Sequence, residues 1–414
     1  MRLVEILIPT RKREAVEDVL EDEGIDYTLV EEHGHSEPSV VITFPLPAPA
    51  VESVLDSLRE TGIDEDSYTV IVEAETVVSE QFEDLERRYA RNTDRISREE
   101  MQAKARELTP RFSTYLVMTI MSVVVATAGL LLDSPAVVVG SMVIAPLIGP
   151  AMASCVGTVI NDDDLFWEGI RSQVIGLAVA VLSGVVFALS YRFLLAPELE
   201  LLLIQQIAER AHPGLLALAV ALGAGTAGAL ALTSGADEAL VGVMIAVALM
   251  PPAASVGLGV AYVDPRLAFG ASVLVLVNLL SINVAGIVTI WIKRYKPSHW
   301  YDAQQARRIT AERLVVFALA IFVLTSFLAM SSLDARDNMA FESQVEAIAE
   351  ETTDELLAVD VQYHADLVSQ QPSGVTVYVH GDEPPAASEL RERINAETGV
   401  DVPVTVITEQ ADVA

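Results

Sequence analysis

Seven stretches of this chain run for at least 19 residues without Asp, Glu, Lys or Arg: 114–132, 134–161, 172–191, 211–236, 239–263, 267–292 and 314–333. A helix needs about 20 apolar residues to cross the hydrocarbon layer, so each stretch predicts a span. The expected fold class is therefore a polytopic α-helical membrane protein. Small residues four apart, Gly176, Ala180 and Gly184 in one stretch and Ala217, Ala221 and Gly225 in another, predict close helix contacts.

Within two of these stretches the sequence repeats itself. Residues 139–151 read VGSMVIAPLIGPA, and 102 residues later 241–253 read VGVMIAVALMPPA. Both copies carry proline where a spanning helix should be uninterrupted. Proline removes a backbone donor and leaves a carbonyl one turn earlier without its helical partner. Carbonyls from Met142 to Pro146 and at Val247 and Ala248 can then face a cation, and half-helices are expected to start at Pro150 and Pro252 with free amides for an anion. The competing reading is a pair of kinks used only for packing, with the freed groups satisfied by neighbouring helices.

Basic residues set the expected orientation. Arg87, Arg88, Arg91, Arg95, Arg98, Lys104, Arg106 and Arg111 precede the first span, and Lys293, Arg294, Lys296, Arg307, Arg308 and Arg313 precede the seventh. Both groups are expected to be cytoplasmic, with six crossings between them. The N-terminus is then inside, the C-terminus outside, and the location a multi-pass cell membrane. The opening residues are too few and too charged for a signal peptide, so the first span is expected to direct insertion. The register shift maps spans one to three onto spans four to six. Three is odd, so the second copy enters with the opposite sense, the 3+3 inverted repeat of many secondary transporters. A seventh helix is added to this core.

The expected path for a small solute or ion is lined by Ser141, Pro146, Gly149, Pro150, Met250, Pro251, Pro252, Ser255 and Asn278. Ser154 is a further nearby hydroxyl. In the sixth span Asn278 and Ser281 share a face while Asn283 points elsewhere, and interhelical hydrogen bonding accounts for such residues equally. The spans hold no carboxylate, and of groups that titrate near neutrality only His212 and Cys155. That argues against a buried proton relay.

Gly140-Ser141-Met142, Ile144-Ala145-Pro146 and Gly149-Pro150, followed by Met244-Ile245-Ala246 and Pro251-Pro252-Ala253, resemble the hydrophobic membrane proteins grouped as domain of unknown function 389. The resemblance covers about residues 112 to 292. It implies a membrane core and assigns no activity to any position.

Soluble segments flank the core. Strands at 2–8, 27–31, 39–44 and 68–75 with helices at 11–23 and 50–61 give a βαββαβ order, which predicts a ferredoxin-like sandwich over 1–78. A charged linker helix over 79–113, with Phe82, Leu85 and Tyr89 on one stripe, leads into the membrane core of 114–333, with repeats 114–192 and 211–292. Residues 334–414 read as helix, strand, strand, helix, strand, a small extracytoplasmic α+β domain and a candidate cap or oligomer contact.

Acidic residues outnumber basic ones 58 to 26, and only four of the basic ones are lysine. Such a surface resembles a halophile's and opposes nucleic-acid binding. A single cysteine excludes an internal disulfide. No phosphate-binding loop or zinc motif is present, so no cofactor, metal or enzymatic activity is expected. Residues 31–37, EEHGHSE, are either a metal-binding hairpin tip or a solvated turn, and Asp162-Asp163-Asp164 reads as a solvated charge run. The expected partners are membrane lipid, a small solute or ion and further copies of the chain. The principal expectation is a transporter or channel; the alternative is a non-transporting oligomeric scaffold or sensor regulated through its cytoplasmic domain.

Overall fold

The computed structural model describes residues 1–32, 38–63, 68–89, 96–197, 199–211, 216–234, 238–295, 302–353, 356–365, 370–380 and 385–409. The candidate metal cluster at 31–37 and His212 fall largely or wholly outside them. Among the described residues no group of three potential metal ligands occurs.

At the N-terminus β1 (Arg2–Pro9), α1 (Arg13–Asp22), β2 (Thr28–Glu32), β3 (Ser39–Leu46), α2 (Val51–Glu60) and β4 (Thr69–Glu73) follow in order. The strands pair as β2-β3-β1-β4, every neighbouring pair antiparallel. Alternation decides the buried face. Val4, Ile6 and Ile8 of β1 and Val40, Ile42, Phe44 and Leu46 of β3 point one way, beneath Val16 and Leu20 of α1 and Val54 and Leu58 of α2. The expected linker helix is instead two helices, α3 (Glu80–Tyr89) and α4 (Arg98–Glu107), with 90–95 outside the described residues. Leu85 joins the domain core. α4 starts at an N-cap serine, Ser97 Oγ accepting from the Glu100 amide at 3.3 Å. Arg2, only 4% exposed, ties β1 to α4 by pairing with Glu100 at 2.7 Å and with Glu73 at 3.0 Å.

The apolar region comprises α5 (Phe112–Leu131), α6 (Pro135–Ile144), α7 (Ile148–Ile160), α8 (Asp163–Leu194), α9 (Gln205–Ala211), α10 (Leu216–Ser234), α11 (Glu238–Tyr262), α12 (Pro265–Ile292) and α13 (Asp302–Thr352). Among the described residues six helices are long and apolar enough to cross a membrane, and the pair α6 and α7, bent by 55°, makes a seventh span if counted as one.

The 102-residue shift extends beyond the proline motifs into the turns. Asp162 caps α8 by accepting from the Leu165 amide at 3.0 Å, and Asp264 caps α12 by accepting from the Leu267 amide at 3.1 Å. The preceding residues, Asn161 and Val263, both sit in the left-handed region with φ of 61° and 60°. Gly157 and Gly259 stand where a Cβ would strike the Phe166 and Ala268 amide nitrogens at 2.4 and 2.5 Å. One tight turn has been built twice.

These two turns lie at opposite ends of the bundle. The Asp162 end gathers Gln102, which donates to Asp162 at 2.7 Å, and Arg313, which pairs with Asp163 at 2.7 Å. Ile96 joins the C-terminal ends of α10 and α12 at this same end of the bundle, donating to Thr233 O at 2.9 Å and accepting from Tyr295 at 2.8 Å. The Asp264 end gathers Tyr262, which donates to Ala196 O at 3.0 Å, and Arg192, which donates to Ala261 O at 2.6 Å.

After α13 the chain forms β5 (Leu356–Ala365), β6 (Gln370–His380), α14 (Ala387–Thr398) and β7 (Val404–Glu409). β5 is antiparallel and β7 parallel to the central β6. Val375, Val377 and Val379 of β6 pack under Leu390 and Ile394 of α14 and under Phe341, Val345 and Ile348 of α13.

Candidate functional site

The first proline motif breaks its helix. α6 ends at Ile144, and Ala145 adopts extended backbone, φ −71° and ψ 119°. The cause is local, because the ring of a following proline disfavours helical geometry at the residue before it. α7 resumes at Ile148, so the half-helix starts two residues before the expected Pro150. Pro150 occupies its first turn, where a missing amide has no helical partner to lose. Gly149 is required for a different reason than ion access: a Cβ there would lie 2.2 Å from Leu108 O and 2.8 Å from the Thr109 nitrogen. The end of α4 is thus seated on the start of α7. Ser141 is fully buried, donating to Val138 O at 2.6 Å while its carbonyl accepts from Ser122 at 2.7 Å.

The second motif does not break its helix, contrary to the sequence expectation of a new start at Pro252. α11 runs through Pro251 and Pro252 without interruption. Pro252 cannot donate to Ala248 O, but the side chain of Asn278 on α12 does, Nδ2 to O at 2.7 Å. An interhelical amide replaces the lost backbone bond, which relieves the main penalty of proline inside a helix. Ser255 donates to Pro251 O at 3.0 Å. Met250, Pro251, Pro252, Ser255 and Asn278 are all buried. Asn278 Oδ1 is buried and has no hydrogen-bond partner among the described residues, a costly condition for an amide oxygen.

The two motifs are not brought to one level. Ile148 Cγ2 would lie 3.5 Å from a Cβ at Gly242, and Pro251 stands nine residues further along α11, about 14 Å at 1.5 Å per residue. Pro146, Gly149 and Pro150 therefore form one group, and Met250, Pro251, Pro252, Ser255 and Asn278 another.

A third group escaped the sequence reading. Gln173 of α8 donates to Pro150 O at 3.1 Å and to Ser154 Oγ at 2.9 Å, and accepts from Asn283 Nδ2 at 2.8 Å. Ser154 in turn donates to Asn283 Oδ1 at 2.5 Å. This closed network joins α7, α8 and α12 and fixes the broken segment. Its signal was Gln173 itself, the only long amide within the 172–191 run. Of the expected solvated run, Asp163 and Asp164 are exposed, but Asp162 is not simply solvated: it caps α8 and accepts from Gln102 and, at 3.1 Å, from Arg106, while Arg313 pairs with the exposed Asp163 and stacks 3.6 Å above the Phe166 ring.

Helices of this length and hydropathy, joined by buried amide and hydroxyl contacts, define a multi-pass membrane protein. A family model described as domain of unknown function 389 matches residues 142–284, from the first proline motif to just past Asn283. It is also similar to an uncharacterized protein of Methanocaldococcus jannaschii, 28% identical over 331 residues that cover 78% of this chain and 98% of the relative. The family description and that relative's name assign no activity.

Proposed function

We propose that the protein passes a small cation or polar solute across the membrane, using the Asn278 amide and the neighbouring α11 carbonyls as its selective element. The observation that carries this reading is Asn278. Its nitrogen caps the carbonyl that Pro252 releases, and its oxygen is left buried without a donor. A permeating cation or N–H group supplies what that oxygen lacks. Asn278 lies midway along α12, 13 residues after Pro265 and 14 before Ile292, which suits a site deep in the bilayer.

The turns at Asp162 and Asp264 support a 3+3 inverted repeat, since matching structures lie at opposite ends of the bundle. With the basic loops inside, the N-terminus and its ferredoxin-like domain are cytoplasmic and the domain after α13 is outside. The strand order β2-β3-β1-β4 supports the ferredoxin-like assignment. No enzymatic step or cofactor is part of this reading.

Reconstituted liposomes test it, with fluxes of alkali cations, ammonium and small polyols compared with empty vesicles. Wild-type protein is expected to carry at least one of them, and Asn278→Leu to lower that flux about tenfold or more, the loss of one strong polar contact. No flux above empty vesicles, or undiminished flux in Asn278→Leu, overturns the proposal.

One observation favours the alternative, a non-transporting sensor. α4 is bonded to the cytoplasmic domain through Arg2 and Glu100 and seated directly on Gly149, so a domain movement acts on the broken segment with no intervening joint.

A further inference from the structure

Between the edge strand β4, helix α2 and helix α4 lies a small hollow of about 80 Å³ that opens to solvent. Ile6, Leu58 and Ile71 form its apolar lining, Ile63 stands beside them, and Arg59 and Glu99 bring charge to it. Glu99 is held by Arg59 at 2.6 Å and by Arg98 at 2.5 Å, both on Oε1. Its second oxygen, Oε2, is shielded and accepts no hydrogen bond among the described residues. Arg59 also pairs with Asp56 at 2.8 Å, and Glu52 accepts from the Arg98 amide at 2.7 Å. Glu52, Asp56 and Glu99 thus face Arg59 and Arg98, three carboxylates against two guanidiniums.

The missing partner is a donor with positive charge. An apolar lining opposes a hydrated metal ion and suits hydrocarbon. A carboxylate ligand would add repulsion to a cluster already in acidic excess. The terminal torsion of a glutamate is broad, so a small rotation presents Oε2 to the hollow. We propose that this hollow binds a small alkylammonium compound, its hydrocarbon body against Ile6, Leu58 and Ile71 and its ammonium on Glu99. Glu99 lies in the first turn of α4, whose other end is followed by the Leu108–Thr109 backbone seated on Gly149. Occupancy therefore bears on the helix that joins domain and core. The proposal stands whether or not the core transports, because binding is read directly.

The test uses the full-length protein in detergent at constant ionic strength, titrated with 3-methylbutylamine, and with 3-methylbutanoate and 3-methylbutanol as matched anionic and neutral controls. The amine is expected to bind saturably and more tightly than either control. Glu99→Gln should weaken it about tenfold, the loss of one charge-assisted hydrogen bond. Ile63→Trp fills the hollow, leaves every charge in place and should abolish binding in protein that melts like wild type. Absence of saturable amine binding at millimolar concentration, equal binding of the alcohol, or unchanged affinity in Ile63→Trp overturns the proposal.

Discussion

Replacing Gly149 with alanine tests the seat of α4 on the broken helix. The added Cβ would stand 2.2 Å from Leu108 O, 2.5 Å from its carbonyl carbon and 2.8 Å from the Thr109 nitrogen. All three are backbone atoms, so no side-chain rotation relieves the overlap. Either α7 or the end of α4 must move by about 1 Å, and overpacking of this kind costs about 1–3 kcal/mol. If α4 lifts instead, Met101 and Ala105, both 0% exposed, are uncovered, and loss of a buried Met alone costs about 1.5–3 kcal/mol. Gly140 supplies the control, since it lies in the first half of the same bent pair and a Cβ there meets nothing within 4 Å. Gly140→Ala should gain about 0.5–1 kcal/mol from helix propensity. The two variants should therefore differ by about 1.5–4 kcal/mol, a factor of about ten to several hundred in the unfolding equilibrium. Thermal unfolding in detergent reads the order, and hydrogen exchange over 98–108 reads whether α4 has lifted. A Gly149→Ala protein that melts with or above Gly140→Ala, with α4 equally protected, refutes the reasoning.

Two further outcomes follow from the repeated turn and the α2–α4 junction. Val263 is β-branched and left-handed, whereas its counterpart Asn161 tolerates that geometry; Val263→Asn should raise stability by about 1 kcal/mol, and a lower melting temperature would show that packing of the valine outweighs the strain. The Glu52 carboxyl is raised above its ordinary value by burial, with Glu99 adding, so the folded state favours its protonated form; the associated stability is present below the unfolded value and lost as pH rises through the folded one. Glu52→Gln should accordingly stabilise the protein near neutral pH, the gain vanishing below the ordinary carboxylate range, and a gain independent of pH would contradict this cause.

The apolar runs and the 102-residue echo were legible because hydrocarbon demands long charge-free segments and duplicated turns keep their residues. Boundaries of β1, β3 and α2 followed from alternation and periodicity in the same way. What happens at proline was not legible. The motif at Pro146 breaks at Ala145, which leaves helical geometry and gives its amide to Met142 O at 3.2 Å, while α11 continues through Pro251-Pro252, where Asn278 of another helix supplies a donor to Ala248 O. Nothing in the spacing of α11 announces a partner 30 residues away. Asp162 looked like solvated charge because its two side-chain donors, Gln102 and Arg106, lie about 60 residues upstream. Aligning Gly157 to Asp162 with Gly259 to Asp264 would have exposed the turn, since the same shift carries one onto the other.

α13 is a single helix of 51 residues, about 75 Å long. Its first part carries the last span, with Thr310 donating to Thr158 O at 3.1 Å, and its last turns form part of the core of the C-terminal domain. Span and domain therefore constitute one lever whose fulcrum is the contact with α7. A tilt of about 10° at that fulcrum sweeps the far end, about 63 Å away, through about 11 Å. Small rearrangements beside the broken helix are thereby magnified into displacements of molecular size at the C-terminal domain.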